Sequence, residues 1–70
     1  MLLSMADFGE RKKIAKITGK EETRHHLENL GFVEGADVTV VSSLGGNLIV
    51  NIKDARVAIS KTVANKIIVA

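Results

Sequence analysis

The sequence contains no cysteine, proline, tryptophan or tyrosine, and only two phenylalanines. Without cysteine there is neither a disulfide framework nor a thiolate metal site, which fits a reducing compartment. A chain of 70 residues buries only about 60% of its unfolded surface, so further stabilisation has to come from packing or from a partner. The shortage of aromatic residues makes the expected core aliphatic, and its Val and Ile favour strands, where branched side chains pack on a pleated surface. No Pro- or Gly-rich linker, internal repeat or low-complexity segment divides the chain, so residues 1–70 are expected to form one domain.

Ten basic and eight acidic residues are interleaved, for a net charge of +2. That surplus is too small to imply a nucleic-acid backbone as partner. The apolar start "MLLSM" has no basic flank and is too short for a signal sequence. No stretch approaches the ~20 apolar residues of a membrane span. A soluble, intracellular protein is expected.

Along the chain, Leu3, Met5 and Phe8 are expected to pack, with Gly9 permitting a turn. "RKKIAKIT" is expected to be a first strand; Ile14 and Ile17 are out of phase for a period of two, which predicts a bend or bulge between them. Thr18-Gly19-Lys20-Glu21 has the spacing of a capping box, and Gly19 with Glu22 is an alternative helix start. The helix runs from there to Leu30, with Thr23, Leu27 and Leu30 on one face. Gly31 stands where a left-handed residue ends a helix, and Phe32 follows in position to fold back onto Leu27. Gly35 marks a turn, and Val38 and Val40 then alternate with Thr39 and Val41. Gly45-Gly46 punctuates a hairpin; Leu48, Val50 and Ile52 share the next core face, and Lys53-Asp54 makes a second turn. "RVAIS" is a strand with Val57 and Ile59 in phase, "KTVAN" one helical turn, and "KIIVA" the last strand. The predicted fold is mainly β, a small, partly open five-stranded barrel with one short α-helix inserted between strands 1 and 2.

Few residues suggest chemistry. His25 and His26 point about 100° apart on a helix and cannot close on one metal ion. Glu21/His25 and Glu22/His26 each offer two ligands, short of the three or four of a zinc site, so a solvated helix face is the expectation. A site shared between two chains keeps metal binding open. None of the serines lies in a nucleophile elbow, and neither GxxxxGK[ST] nor GxGxxG is present, so no catalytic residue, cofactor or enzymatic activity is expected. Nucleic-acid-binding barrels display aromatics beside a basic groove, whereas Phe8 and Phe32 both have core explanations here. Lys12, Lys13 and Lys16 are explained by an edge strand protected against pairing with another chain. Val41 and Ile49, opposite the core series, are either scattered surface apolars or part of a partner or self-association patch.

"LENLGFVEGADVTVV" followed by "GGNLIVNIKDARVAISKTVANKIIV" resembles the FeoA family, the ferrous iron transport protein A of bacteria. The resemblance is carried by Leu30, Gly31, Phe32, Gly35, Val38, Val40, Gly45, Gly46, Val57, Ala58, Ile59, Ala64 and Ile67, and covers nearly the whole chain. Glu34 departs from the pattern, in which proline often precedes the second glycine. The resemblance implies an SH3-like barrel, a cytoplasmic location, no enzymatic activity, and a partner, the membrane GTPase-transporter FeoB. Similar SH3-like domains form the C-terminus of metal-dependent repressors; a partner-binding module of that kind, or a small nucleic-acid-binding barrel, is the alternative. Because the helix interrupts the strands and has a polar outer face, its residues Glu21, Arg24, His25, Glu28 and Asn29 are the expected partner-binding surface. The competing expectation is a helix that merely covers an open barrel end. Gly31, Phe32, Gly35, Gly45 and Gly46 are expected to be structural turn or cap residues.

Overall fold

The alternating valines and isoleucines of the chain's second half do form strands. The computed structural model describes residues 1–70. A 3-10 turn at Leu3–Met5 precedes β1 (Arg11–Ile17), α1 (Glu21–Asn29), β2 (Asp37–Leu44), β3 (Asn47–Ile52), β4 (Ala55–Ser60), α2 (Lys61–Ala64) and β5 (Ile67–Val69). All strands join one antiparallel sheet in the order β4-β3-β2-β1-β5. Two features correct the expected barrel. The sheet does not close, since β4 and β5 end the strand order and do not pair with each other; Met1 and Leu2 pair along β5 instead. The helical part is larger than one inserted helix: a 3-10 turn lies before β1, and the helical turn expected at "KTVAN" is α2, joining β4 to β5.

Strand β1 serves two neighbours in succession. Arg11 to Lys13 pair with β2, and the pairing with β5 runs from Ile14 to Ile17 with a register shift between Ile14 and Lys16. The irregularity therefore falls where the phase break between Ile14 and Ile17 predicts it, and it lets one strand turn from one partner to the other. A second shift lies between Val40 and Ser42, so Val41 is the extra residue of β2. Because β1 is interior in the strand order, its lysines do not protect an edge. Lys12 pairs instead with Glu10 at 2.5 Å, and Lys13 with Asp37 at 3.6 Å.

The core is a single cluster that gathers Leu3, Ile14, Leu27, Phe32, Val38, Val40, Leu48, Val50, Ile52, Ile59, Ile67 and Val69 with Ala6 and Ala64. No polar side chain is buried with it. Leu3 packs as expected, but Met5 and Phe8 are exposed at 66% and 61%. The Gly9 amide donates to the Val40 carbonyl at 2.7 Å, which continues the β1–β2 pairing ahead of Arg11 and leaves Phe8 outside.

The start of α1 also differs from expectation. Lys20 is the N-cap and makes no side-chain cap bond, while the Thr18 hydroxyl donates to the Lys66 carbonyl at 3.0 Å. Glu21 and Glu22 in the first turn face the positive end of the helix dipole. The helix end is as expected. Gly31 donates to the Glu28 carbonyl and Phe32 to the Leu27 carbonyl, each at 2.9 Å, which together form a Schellman motif with Leu27 and Phe32 buried side by side in the core. At α2 the Ser60 hydroxyl accepts from the Val63 amide at 3.1 Å, a cap contact.

The hairpin turns are both two residues long. Leu44 pairs with Asn47 around Gly45-Gly46, with φ of 62° at Gly45 only, the pattern of a type II′ turn. Ile52 pairs with Ala55 around Lys53 and Asp54, whose φ values of 46° and 63° make a type I′ turn without glycine. Side chains are disfavoured in that region, so joint replacement by Asn-Gly (Lys53→Asn with Asp54→Gly) is expected to stabilise the domain by about 1 kcal/mol. In a thermal melt this appears as a rise of roughly 4–8 °C; a lower midpoint would show that the Lys53 side chain contributes more than its backbone costs.

Candidate functional site

Nine residues of α1 carry one fully buried side chain, Leu27, and the helix otherwise presents polar groups to solvent. On that outer face Glu21, His25 and Glu28 form a row. His25 Nε2 lies 3.4 Å from Glu21 Oε1, and its Nδ1 lies 3.8 Å from Glu28 Oε2. The imidazole thus stands between two carboxylates, each about one turn away from it along the helix, and both contacts become attractive when it carries a proton. All three side chains are more than half exposed, so such pairs hold orientation more than they hold the fold together. Glu22 and His26 make no equivalent contact. No three His, Asp or Glu side chains are placed to hold a metal ion within one chain.

Beside this row lies a cleft of about 130 Å³. Ile17 of β1 and Phe32 and Val33, just beyond the helix, supply its apolar floor and wall; Arg24, Glu28 and Glu34 supply charge at its rim. The helix end builds this cleft. The reversal at Gly31 (φ 104°) brings Phe32 back under Leu27 and leaves Val33 half-buried against the open side. Of the five expected surface residues, the structure gathers Glu21, His25 and Glu28 into the row and Arg24 and Glu28 onto the cleft. Asn29 is exposed but joins neither. Glu28 belongs to both.

Sequence reasoning missed Ile17, Val33 and Glu34 at this cleft. Ile17 is separated from the others along the chain, and only the position of β1 beneath α1 brings it there. Val41 and Ile49 are half-buried, and the exposed large apolars are instead Met1, Met5, Phe8 and Leu44. No helix is long and apolar enough to cross a membrane.

Comparison with solved structures finds this architecture in other proteins. An iron uptake regulatory protein (FeoA) superposes with a TM-score of 0.90 at 27% identity, over 99% of this chain and 93% of that one. The FeoA of Stenotrophomonas maltophilia, solved with zinc and described as a prokaryotic SH3 domain protein, gives 0.88 at 24% identity over 100% and 89% of the two chains. A manganese-dependent transcriptional repressor in complex with manganese gives 0.91 at 19% identity, with all of this chain matching 35% of the repressor. The last two likenesses establish an SH3-like fold. Comparison with curated protein sequences gave no match. The family model of the FeoA domain matches residues 1–70. The chain belongs to the FeoA family.

Proposed function

We propose that this chain is a non-enzymatic accessory protein of bacterial ferrous iron uptake that acts by binding the membrane GTPase-transporter FeoB, and that the outer face of α1 with the cleft beside it makes the contact. Family membership supplies the link to iron uptake, together with the structural relative described as an iron uptake regulatory protein. The observation that carries the surface assignment is the cleft itself. Ile17 and Val33, over the buried Phe32, offer an apolar floor, and Arg24, Glu28 and Glu34 surround it with charge. An apolar centre with a polar rim is the usual anatomy of a protein interface. Glu21, His25 and Asn29 extend the polar part of that surface along the helix.

The test is amide chemical-shift mapping of the labelled protein during titration with the cytosolic domain of its cognate FeoB. Shifts are expected along α1 and through Gly31–Gly35. Reversing the rim charge with Glu28→Arg is expected to weaken association about tenfold, since a rim charge steers and orients docking. The melting temperature should barely move, because Glu28 is largely exposed. Unchanged affinity, or shifts confined to another surface, would refute the assignment to α1; absence of any shift would refute a contact with that domain.

A further inference from the structure

On the outer face of the sheet, opposite the buried Val38, Val40, Val50 and Ile52, strand register assembles a row that no stretch of sequence contains. Arg11 pairs with Thr39, Thr39 with Asn51, and Asn51 with Arg56, so four polar residues cross β1, β2, β3 and β4 in line. They line an open groove of about 750 Å³, which Asp37 and the Lys53–Asp54 turn also border. Arg56 Nε donates to Asn51 Oδ1 at 3.2 Å, which orients the guanidinium and leaves its terminal amino groups without an intramolecular acceptor. Asp37 is taken up by Lys13 at 3.6 Å. No carboxylate lies within ion-pair distance of Arg11, Lys53 or Arg56. The groove therefore holds three cations whose charge is unmet, against one carboxylate, Asp54, that is not otherwise paired.

We propose that this groove docks an extended acidic segment of a protein partner, with carboxylates received by Arg11 and Arg56 at the two ends of the row. A guanidinium offers parallel donors that match a carboxylate in a bidentate pair, and Thr39 and Asn51 between them offer neutral hydrogen-bonding groups to the segment's polar atoms. Three interstrand steps separate the arginines, or about 14 Å between backbones. An extended chain rises about 3.4 Å per residue, so acidic residues four positions apart span the same distance. A peptide fits better than a polynucleotide: the row contains no aromatic ring on which a base would stack, and the net charge of +2 is small. This site is separate from α1 and does not depend on the reading given above.

The experiment is a titration of the labelled protein at low ionic strength, followed at backbone amides and at the arginine Nε–H groups. The probe is a synthetic peptide with two glutamates separated by three Ser or Gly residues. Its glutamine counterpart and a short oligothymidylate serve as comparisons. Saturable shifts at Arg11, Thr39, Asn51 and Arg56 with the glutamate peptide alone are the expected result. Arg11→Gln and Arg56→Gln should each weaken binding about tenfold, the loss of one charge-assisted bidentate pair. Both residues are exposed, so the variants should keep their amide spectra and melting temperature. No saturable shift, equal response to the glutamine peptide, or unchanged affinity in both variants would overturn the proposal. Tighter binding of the oligothymidylate at the same four residues would overturn the choice of a protein segment.

Discussion

Phe32→Ala should take away about 3–5 kcal/mol of stability, the range for truncating a large buried aromatic. A domain of 70 residues has roughly 4–10 kcal/mol in total, so this one change removes a large part of it. Phe32 is 0% exposed and leads the fully buried side chains by volume. Its amide also closes the helix on the Leu27 carbonyl, so backbone and ring hold the same junction. In this aliphatic interior no second aromatic fills the space, since Phe8, the other phenylalanine, lies on the surface. Urea denaturation followed by circular dichroism is the check. The alanine variant should be largely unfolded without denaturant or unfold at much lower urea, while Phe32→Leu, closer in volume, should cost about half as much or less. An alanine variant with an unchanged midpoint would place the ring outside the core.

The second large effect is expected at the residue before it. Gly31→Ala should cost about 1–3 kcal/mol, because φ of 104° lies where an L side chain is strained. Crowding adds little: an added Cβ would lie 3.3 Å from Lys53 Cδ, on a side chain that can shift, and at ordinary contact distance, 3.6 Å, from Ile52 Cγ1. In a thermal melt the loss corresponds to roughly 5–20 °C for a domain this small. Gly46→Ala is the control. Its backbone is not at positive φ and nothing lies within 4 Å, so its midpoint should shift by only a few degrees. Equal midpoints for the two alanine variants would show that Gly31 is not required by its conformation. Because the helix end also shapes the cleft lined by Arg24, Glu28 and Val33, Gly31→Ala should also weaken the proposed contact with FeoB, in proportion to the helix lost.

Contacts between residues close in sequence were legible before the structure. The stop at Gly31-Phe32 depends on spacing within α1, and the hairpins at Gly45-Gly46 and Lys53-Asp54 on the alternation of their flanking strands. The irregularity in β1 follows from the phase of Ile14 and Ile17 alone. The start of α1 differs from the spacing's expectation for a reason distant in the chain: the hydroxyl of Thr18, free in the sequence to cap the helix, is engaged by the Lys66 carbonyl ahead of β5. Phe8 was misplaced for a similar reason. Its apolar character predicts burial, but the backbone bond from Gly9 to Val40 puts it on the rim.

The expected recognition surface shows the same division. Helical periodicity suffices to place Glu21, His25 and Glu28 on one face, and their proximity in the structure agrees with it. It does not supply Ile17, which reaches the cleft from another strand, nor the line from Arg11 to Arg56, which exists only through three strand registers.

By itself, then, the sequence determined an aliphatic, mainly β chain, its turns, its helix end and its membership in a family whose pattern runs the length of the chain. These depend on conformational preference and on periods of two or 3.6 residues, which act over a few neighbouring positions. Only the tertiary structure decided that β4 and β5 end the sheet without pairing with each other, that β1 lies inside it, and which side chains face one another across strands. Those outcomes depend on register and on hydrogen bonds between distant segments, and no local preference encodes either.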